Sequence, residues 1–133
     1  MRYVLDASVA VAAMKPSEPL HSVALARVLR INAGDDEIVV PAIFRIEVES
    51  ALARGRVPDS IITSYVEELL ATAEVVTIGP KTAQKIGRLA VKTRLRAADA
   101  AYAWVASREA LPLITSDGEM MKRTRGLCVV SLP

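Results

Sequence analysis

Apolar and polar positions along this chain are grouped in blocks rather than alternating residue by residue. Five short apolar runs stand out: "RYVL" (2–5), "EIVV" (37–40), "EVVTI" (74–78), "LPLIT" (111–115) and "LCVVSL" (127–132). They lack period-two polarity and read as strands covered on both faces. Between them, apolar positions recur at helical spacing. A helix is expected over 7–14, broken by the two prolines of "KPSEP". A second is expected over 20–31, where Leu20, Val23, Ala24, Leu25, Val28 and Leu29 share a face and Gly34 closes the end. Further helices are expected over 42–55, over 58–73 behind the start signal Pro58-Asp59-Ser60, over 79–94, over 97–110 and over 116–125. Strands alternating with helices predict an α/β fold, an open parallel β-sheet of about five strands with helices on both faces. Ligands of such sheets sit outside the carboxyl ends of the strands.

A length of 133 residues predicts a single domain over 1–133 with one sizeable core, and 52% hydrophobic content excludes a disordered chain. The net charge of +2 does not by itself mark a nucleic-acid binder; that would take a clustered basic face. Cys128 is alone, so there is no disulfide framework, and a reducing cytoplasm is the expected location. No apolar run approaches the roughly 20 residues of a membrane span. The N-terminal run contains Asp6, which makes it a poor secretory signal.

The acids carry the candidate chemistry. Asp6 follows the first strand and Asp117 the fourth, so a parallel sheet places both on one rim. Asp99 lies in the first turn of its helix, with Tyr102, Ala103 and Ala106 on its face. Taken singly, each aspartate is well explained as a helix cap. Glu47 is different, because a helix-interior Glu cannot cap. On a wheel of about 100° per residue it falls at the edge of the apolar arc formed by Ile43, Phe44, Val48, Ala51 and Leu52, while Glu49 points away with Arg45. Its bland explanation is a salt bridge to Arg54 or another base. Together, Asp6, Glu47, Asp99 and Asp117 are semi-buried acids whose mutual repulsion a hard divalent cation would relieve. With no accompanying His or Cys, the oxygen-only set favours Mg²⁺ or Mn²⁺. Ser8 and Thr115 stand two residues from Asp6 and Asp117, where they either hydrogen-bond the carboxylates or serve turn and cap chemistry. Trp104 and Tyr102 read as core rather than as base-stacking platforms.

In these residues the chain resembles the PIN-domain ribonucleases, in particular the VapC-type toxins of prokaryotic toxin–antitoxin pairs, over nearly its whole length. "YVLDASV" resembles the opening strand with its first acid, Asp6. "VVPAIFRIEVESAL" resembles the second block and picks out Glu47 rather than Glu49. "RAADAAYAWVA" is similar to the third block around Asp99, and "PLITSDGEM" to the fourth, carrying Asp117. Members often add an acid or amide just after that block; here Gly118 follows and then Glu119. The resemblance implies a metal-dependent endoribonuclease, held inactive by a cognate antitoxin and working as a homodimer. Asp6, Asp99 and Asp117, with Glu47, would hold one or two Mg²⁺ ions. Arg45, Arg54, Arg56, Lys92, Arg94 and Arg96 would be available to RNA phosphates, or would simply form solvated helix faces. The apolar helices "LHSVALARVLRI" and "SIITSYVEELL" would bury a dimer or antitoxin contact. Two other classes fit less fully. A catalytically silent binding module would need no metal. A receiver-like signalling domain would need an acidic pair at the first strand, an Asp ending the third and a Lys ending the fifth, all missing here.

Overall fold

A computed structural model describes residues 1–133. Its five strands are β1 (Arg2–Leu5), β2 (Glu37–Pro41), β3 (Glu74–Val76), β4 (Leu113–Ile114) and β5 (Val130–Ser131). They form one sheet in the order β3-β2-β1-β4-β5, with every pairing parallel. The seven helices are α1 (Ala7–Ala12), α2 (His21–Asn32), α3 (Ile43–Arg54), α4 (Asp59–Leu70), α5 (Pro80–Thr93), α6 (Ala97–Glu109) and α7 (Gly118–Thr124). Helices α1 to α4 pack on one another in one group and α5 on α6 in another, with α6 lying against β1, β2 and β4. The chain moves outward from β1 to β3, then crosses back to β4 on the other side. The topological switch therefore falls between β1 and β4, where a doubly wound sheet opens a crevice.

Central strands bury both faces, which explains their unbroken apolar runs. Tyr3, Val4 and Leu5 of β1 and Ile38, Val39 and Val40 of β2 are all buried. The outer strands are shorter and more exposed than the sequence suggests. β3 stops at Val76 instead of running through 78, because its partner ends at Pro41 and the Ala42 N–H closes on the Val76 carbonyl. β5 narrows to two residues because β4, its only neighbour, is itself two residues long. The first helix ends at Ala12, two residues early, and α4 at Leu70. Gly34 closes α2 as expected: at φ +82° its N–H meets the Ile31 carbonyl, while the Asp35 N–H meets that of Arg30.

A buried acid anchors the rim away from the strands' carboxyl ends. Asp36, just before β2, accepts both Nε and Nη2 of Arg30 at 3.1 and 3.0 Å, the Tyr3 hydroxyl at 3.1 Å and Nη1 of Arg27 at 3.5 Å. Arg27 also covers the Tyr3 ring. Arg30 first, then the Met1 ammonium at 3.3 Å and the Tyr3 hydroxyl, hold the Asp36 carboxyl well below the usual carboxylate range, against the opposing effect of burial. No helix is long and apolar enough to cross a membrane.

Candidate active site

Each of the four acids is delivered to the switch point by a strand end or a helix face. Asp6 stands where a cap for α1 would be, yet makes no cap bond. Its Oδ2 instead accepts two hydroxyls, Ser8 Oγ at 2.5 Å and Thr115 Oγ1 at 2.7 Å. Those hydroxyl oxygens in turn accept backbone N–H groups, Ser116 onto Ser8 and Asp117 onto Thr115, both at 3.0 Å. Each hydroxyl thus accepts one N–H and donates its own proton to the carboxylate. The network stitches the β1–α1 turn to the β4–α7 turn and sets the rotamer of Asp6. Replacing Thr115 with Val, a near-isostere, should lower stability by about 1.5–3 kcal/mol, the range for a hydrogen bond to a charged group. Thermal melting checks this; an unchanged melt would mean that the hydroxyl is idle.

Asp117 does act as a cap: its Oδ1 accepts the N–H groups of Glu119 at 2.9 Å and Met120 at 3.3 Å. The capping explanation thus holds for Asp117 and fails for Asp6. It fails for Asp99 too, because Arg96 occupies the cap position of α6 and the Asp99 carboxylate accepts no hydrogen bond within the protein. Glu47 is not salt-bridged to Arg54, which bonds Ser50 instead. Its Oε1 accepts the hydroxyl of Tyr102 at 2.6 Å. Glu49 turns outward onto Arg45 at 3.0 Å, as the wheel predicts.

Asp6, Glu47, Asp99 and Asp117 all line one cleft of about 560 Å³, together with Ser8, Ser116, Arg54 and Arg96. None of the four is ion-paired within the protein. Burial is the main cause that raises the Asp6 carboxyl above its usual range; its two hydroxyl partners oppose this and the charge of Asp117 adds to it. Burial likewise raises Glu47, with Tyr102 opposing and Asp6 and Asp99 adding. Asp99 is raised by burial and by Asp6 and Asp117, against the pull of Arg96 and Arg123. The acids therefore raise one another, and none of them has a direct ion-pair partner.

As they stand, no three of them are arranged around one ion. The donor chemistry nevertheless fits a hard divalent cation. The bonds above leave one oxygen uncommitted on each of Asp6, Glu47 and Asp117, and both on Asp99. Ser116 Oγ, on the same cleft wall, is buried without a hydrogen-bond partner. Glu119 is not brought in: its exposed carboxylate faces Lys122 and Arg123 on α7. Of the basic residues, only Arg54 and Arg96 reach the cleft. Arg45 is spent on Glu49 and Glu67, and Arg56, Lys92 and Arg94 lie outside the lining. Trp104 packs under the Arg108 guanidinium away from the cleft. In sequence Tyr102 shares the helix face of Asp99, but its bond to Glu47 is not visible there. The available signal was that a buried phenol needs a partner.

The family model described as "PIN domain" matches residues 3–127. No curated protein sequence matches. Among solved structures, PAE2754 from Pyrobaculum aerophilum is 25% identical with a TM-score of 0.69, covering 98% of this chain and 83% of that one. VapBC2 from Rickettsia felis, bound to a DNA fragment from its promoter, is 17% identical with a TM-score of 0.70, covering 100% and 99%. FitAcB from Neisseria gonorrhoeae is 18% identical with a TM-score of 0.62, covering 98% and 96%. The last two likenesses carry the fold alone.

Proposed function

This chain belongs to the PIN-domain family, and on that premise we propose that it is a divalent-metal-dependent endoribonuclease, the toxin of a VapC-type toxin–antitoxin pair. The observation that carries the reading is the convergence of four unpaired carboxylates on one cleft at the switch point. Asp6, Asp99 and Asp117, with Glu47, would hold Mg²⁺ or Mn²⁺. When bound, such an ion supplies Lewis-acid stabilisation of charge and makes water at the phosphate more acidic. The protein's own contribution is placement. Ser8 and Thr115 orient Asp6, and the α7 amides orient Asp117. Asp99, free of hydrogen bonds, is the acid available to take a proton from an attacking water. Arg54 and Arg96, on the cleft wall, offset the charge of an incoming phosphate.

The chain as a single PIN-like domain in the cytoplasm, working as a homodimer with an antitoxin partner, completes the reading. It is supported by the apolar side chains that α2 and α4 leave exposed: Val23, Leu25, Leu29 and Ile61. Single-stranded RNA should be cut in Mg²⁺ or Mn²⁺ and spared in excess EDTA. Full cutting in EDTA by rigorously purified protein would sink the metal-dependent reading, and a protein that binds no Mn²⁺ and cuts nothing would be the silent binding module instead.

A further inference from the structure

Glu47 poses a problem that the nuclease reading leaves open. It sits mid-helix on a long, flexible side chain, beside the cleft, with no cation to hold it. A glutamate so placed would ordinarily extend into solvent and sample many rotamers. One group restrains it. The Tyr102 side chain is fully buried, and its hydroxyl donates to Glu47 Oε1 at 2.6 Å.

We propose that Tyr102 is a positioning residue for Glu47: its hydroxyl pins one carboxylate oxygen so that the other is presented to the cleft beside Asp6 and Asp99. The proposal rests on the nuclease reading and deepens it. Tyr102 lies three residues past Asp99, on the same face of α6. A single helix therefore supplies one acid directly and orients a second that belongs to α3. Two separate segments of the cleft, α3 and α6, are thereby joined through one phenol oxygen. The arrangement parallels that of Asp6, whose Oδ2 is tied by Ser8 and Thr115, and of Asp117, whose Oδ1 is tied by backbone amides. A tied oxygen with its twin left free is a recurrent way to orient a carboxylate ligand.

The test is Tyr102→Phe, which keeps the ring and removes only the hydroxyl. Mn²⁺ affinity, read by titration of the purified protein, should fall about 10-fold, the lower end for loss of a group that orients a ligand. The kcat for RNA cleavage should fall with it while KM for RNA is unchanged. In a Glu47→Gln background the same substitution should have no further effect on either quantity. A variant that only melts earlier, with Mn²⁺ affinity and kcat intact, would overturn the proposal and leave the nuclease reading standing; so would losses that add to those of Glu47→Gln. A wild type that neither binds Mn²⁺ nor cuts RNA would overturn the reading and the proposal with it. If the Phe variant fails to fold, wild-type protein carrying [¹³Cζ]tyrosine gives the answer. The Tyr102 resonance should shift on addition of Mg²⁺ and in Glu47→Gln, with Tyr3 and Tyr65 as still references. An unmoved Tyr102 signal overturns the proposal.

Discussion

Asp6→Asn is expected to reduce RNA cleavage by about three orders of magnitude, or about 4 kcal/mol of barrier, while making the metal-free protein more stable. The two effects have one cause. Asn keeps a carbonyl oxygen to accept Ser8 and Thr115, so the network survives, but the charge is gone. That charge is disfavoured by burial and by Asp117. An acid whose folded pKa is raised contributes no penalty below its unfolded value of 3.8, and the penalty develops as pH rises through the folded pKa. At neutral pH its removal is worth on the order of 1 kcal/mol. In a domain of this size the apo melting midpoint should rise by about 3–5 °C, and the gain should vanish toward pH 4. Saturating Mg²⁺ should reverse the ranking by stabilising the wild type, by about 2.7 kcal/mol at 100 times Kd, and the variant far less. Melts with and without Mg²⁺ across pH, beside an RNA assay, check all of this. Identical melts and undiminished cleavage would remove Asp6 from the site.

Asp36→Asn should have the largest effect on stability of any single charge change, and its pH dependence should run the other way. The side chain is buried and receives both nitrogens of the Arg30 fork together with Tyr3 and Arg27. Breaking a fully buried ion pair costs about 3–5 kcal/mol; because water still reaches these guanidinium groups, we expect about 2–3 kcal/mol. The melting midpoint should fall by about 10 °C. A carboxyl held below its usual range contributes fully above its unfolded pKa of 3.8, and the contribution is lost as pH falls toward the folded value. The wild-type and variant curves should therefore lie parallel from pH 5 to 8 and converge below about pH 4. Cleavage per folded molecule should be unchanged, because Asp36 lies on the opposite rim. A variant that melts like the wild type would mean that the cluster is ornamental.

The sheet and its helices were legible because the central strands are buried on both faces and the helices carry periodic apolar stripes. The edges were less so. Thr77 and Ile78 look like strand, but their fate depends on where β2 ends, which no local pattern records. The four acids could be picked out because each sits at a strand end, in a first helical turn or on the margin of an apolar arc. What holds them was only partly readable. Ser8 and Thr115 sit at short spacing from Asp6 and Asp117, yet their shared acceptor, Asp6 Oδ2, depends on β1 and β4 being neighbours. Tyr102 and Glu47 are 55 residues apart, and nothing in either segment announces the other. Arg45 and Arg54 look alike in sequence; only packing shows that the first is neutralised by Glu49 and Glu67 while the second faces the cleft.

The hydroxyl of Thr115 reaches Asp6 across 109 positions of chain. On a ribosome the chain emerges from its N-terminus, at about 5–20 residues per second. Asp6, Glu47 and then Asp99 therefore leave the exit tunnel before the segment that orients Asp6 and supplies Asp117. Until then β1 lacks its inner neighbour β4, and the cleft has only one side. A nascent chain thus carries three of the four acids but not their geometry until the segment around Thr115 and Asp117 has emerged and paired with β1.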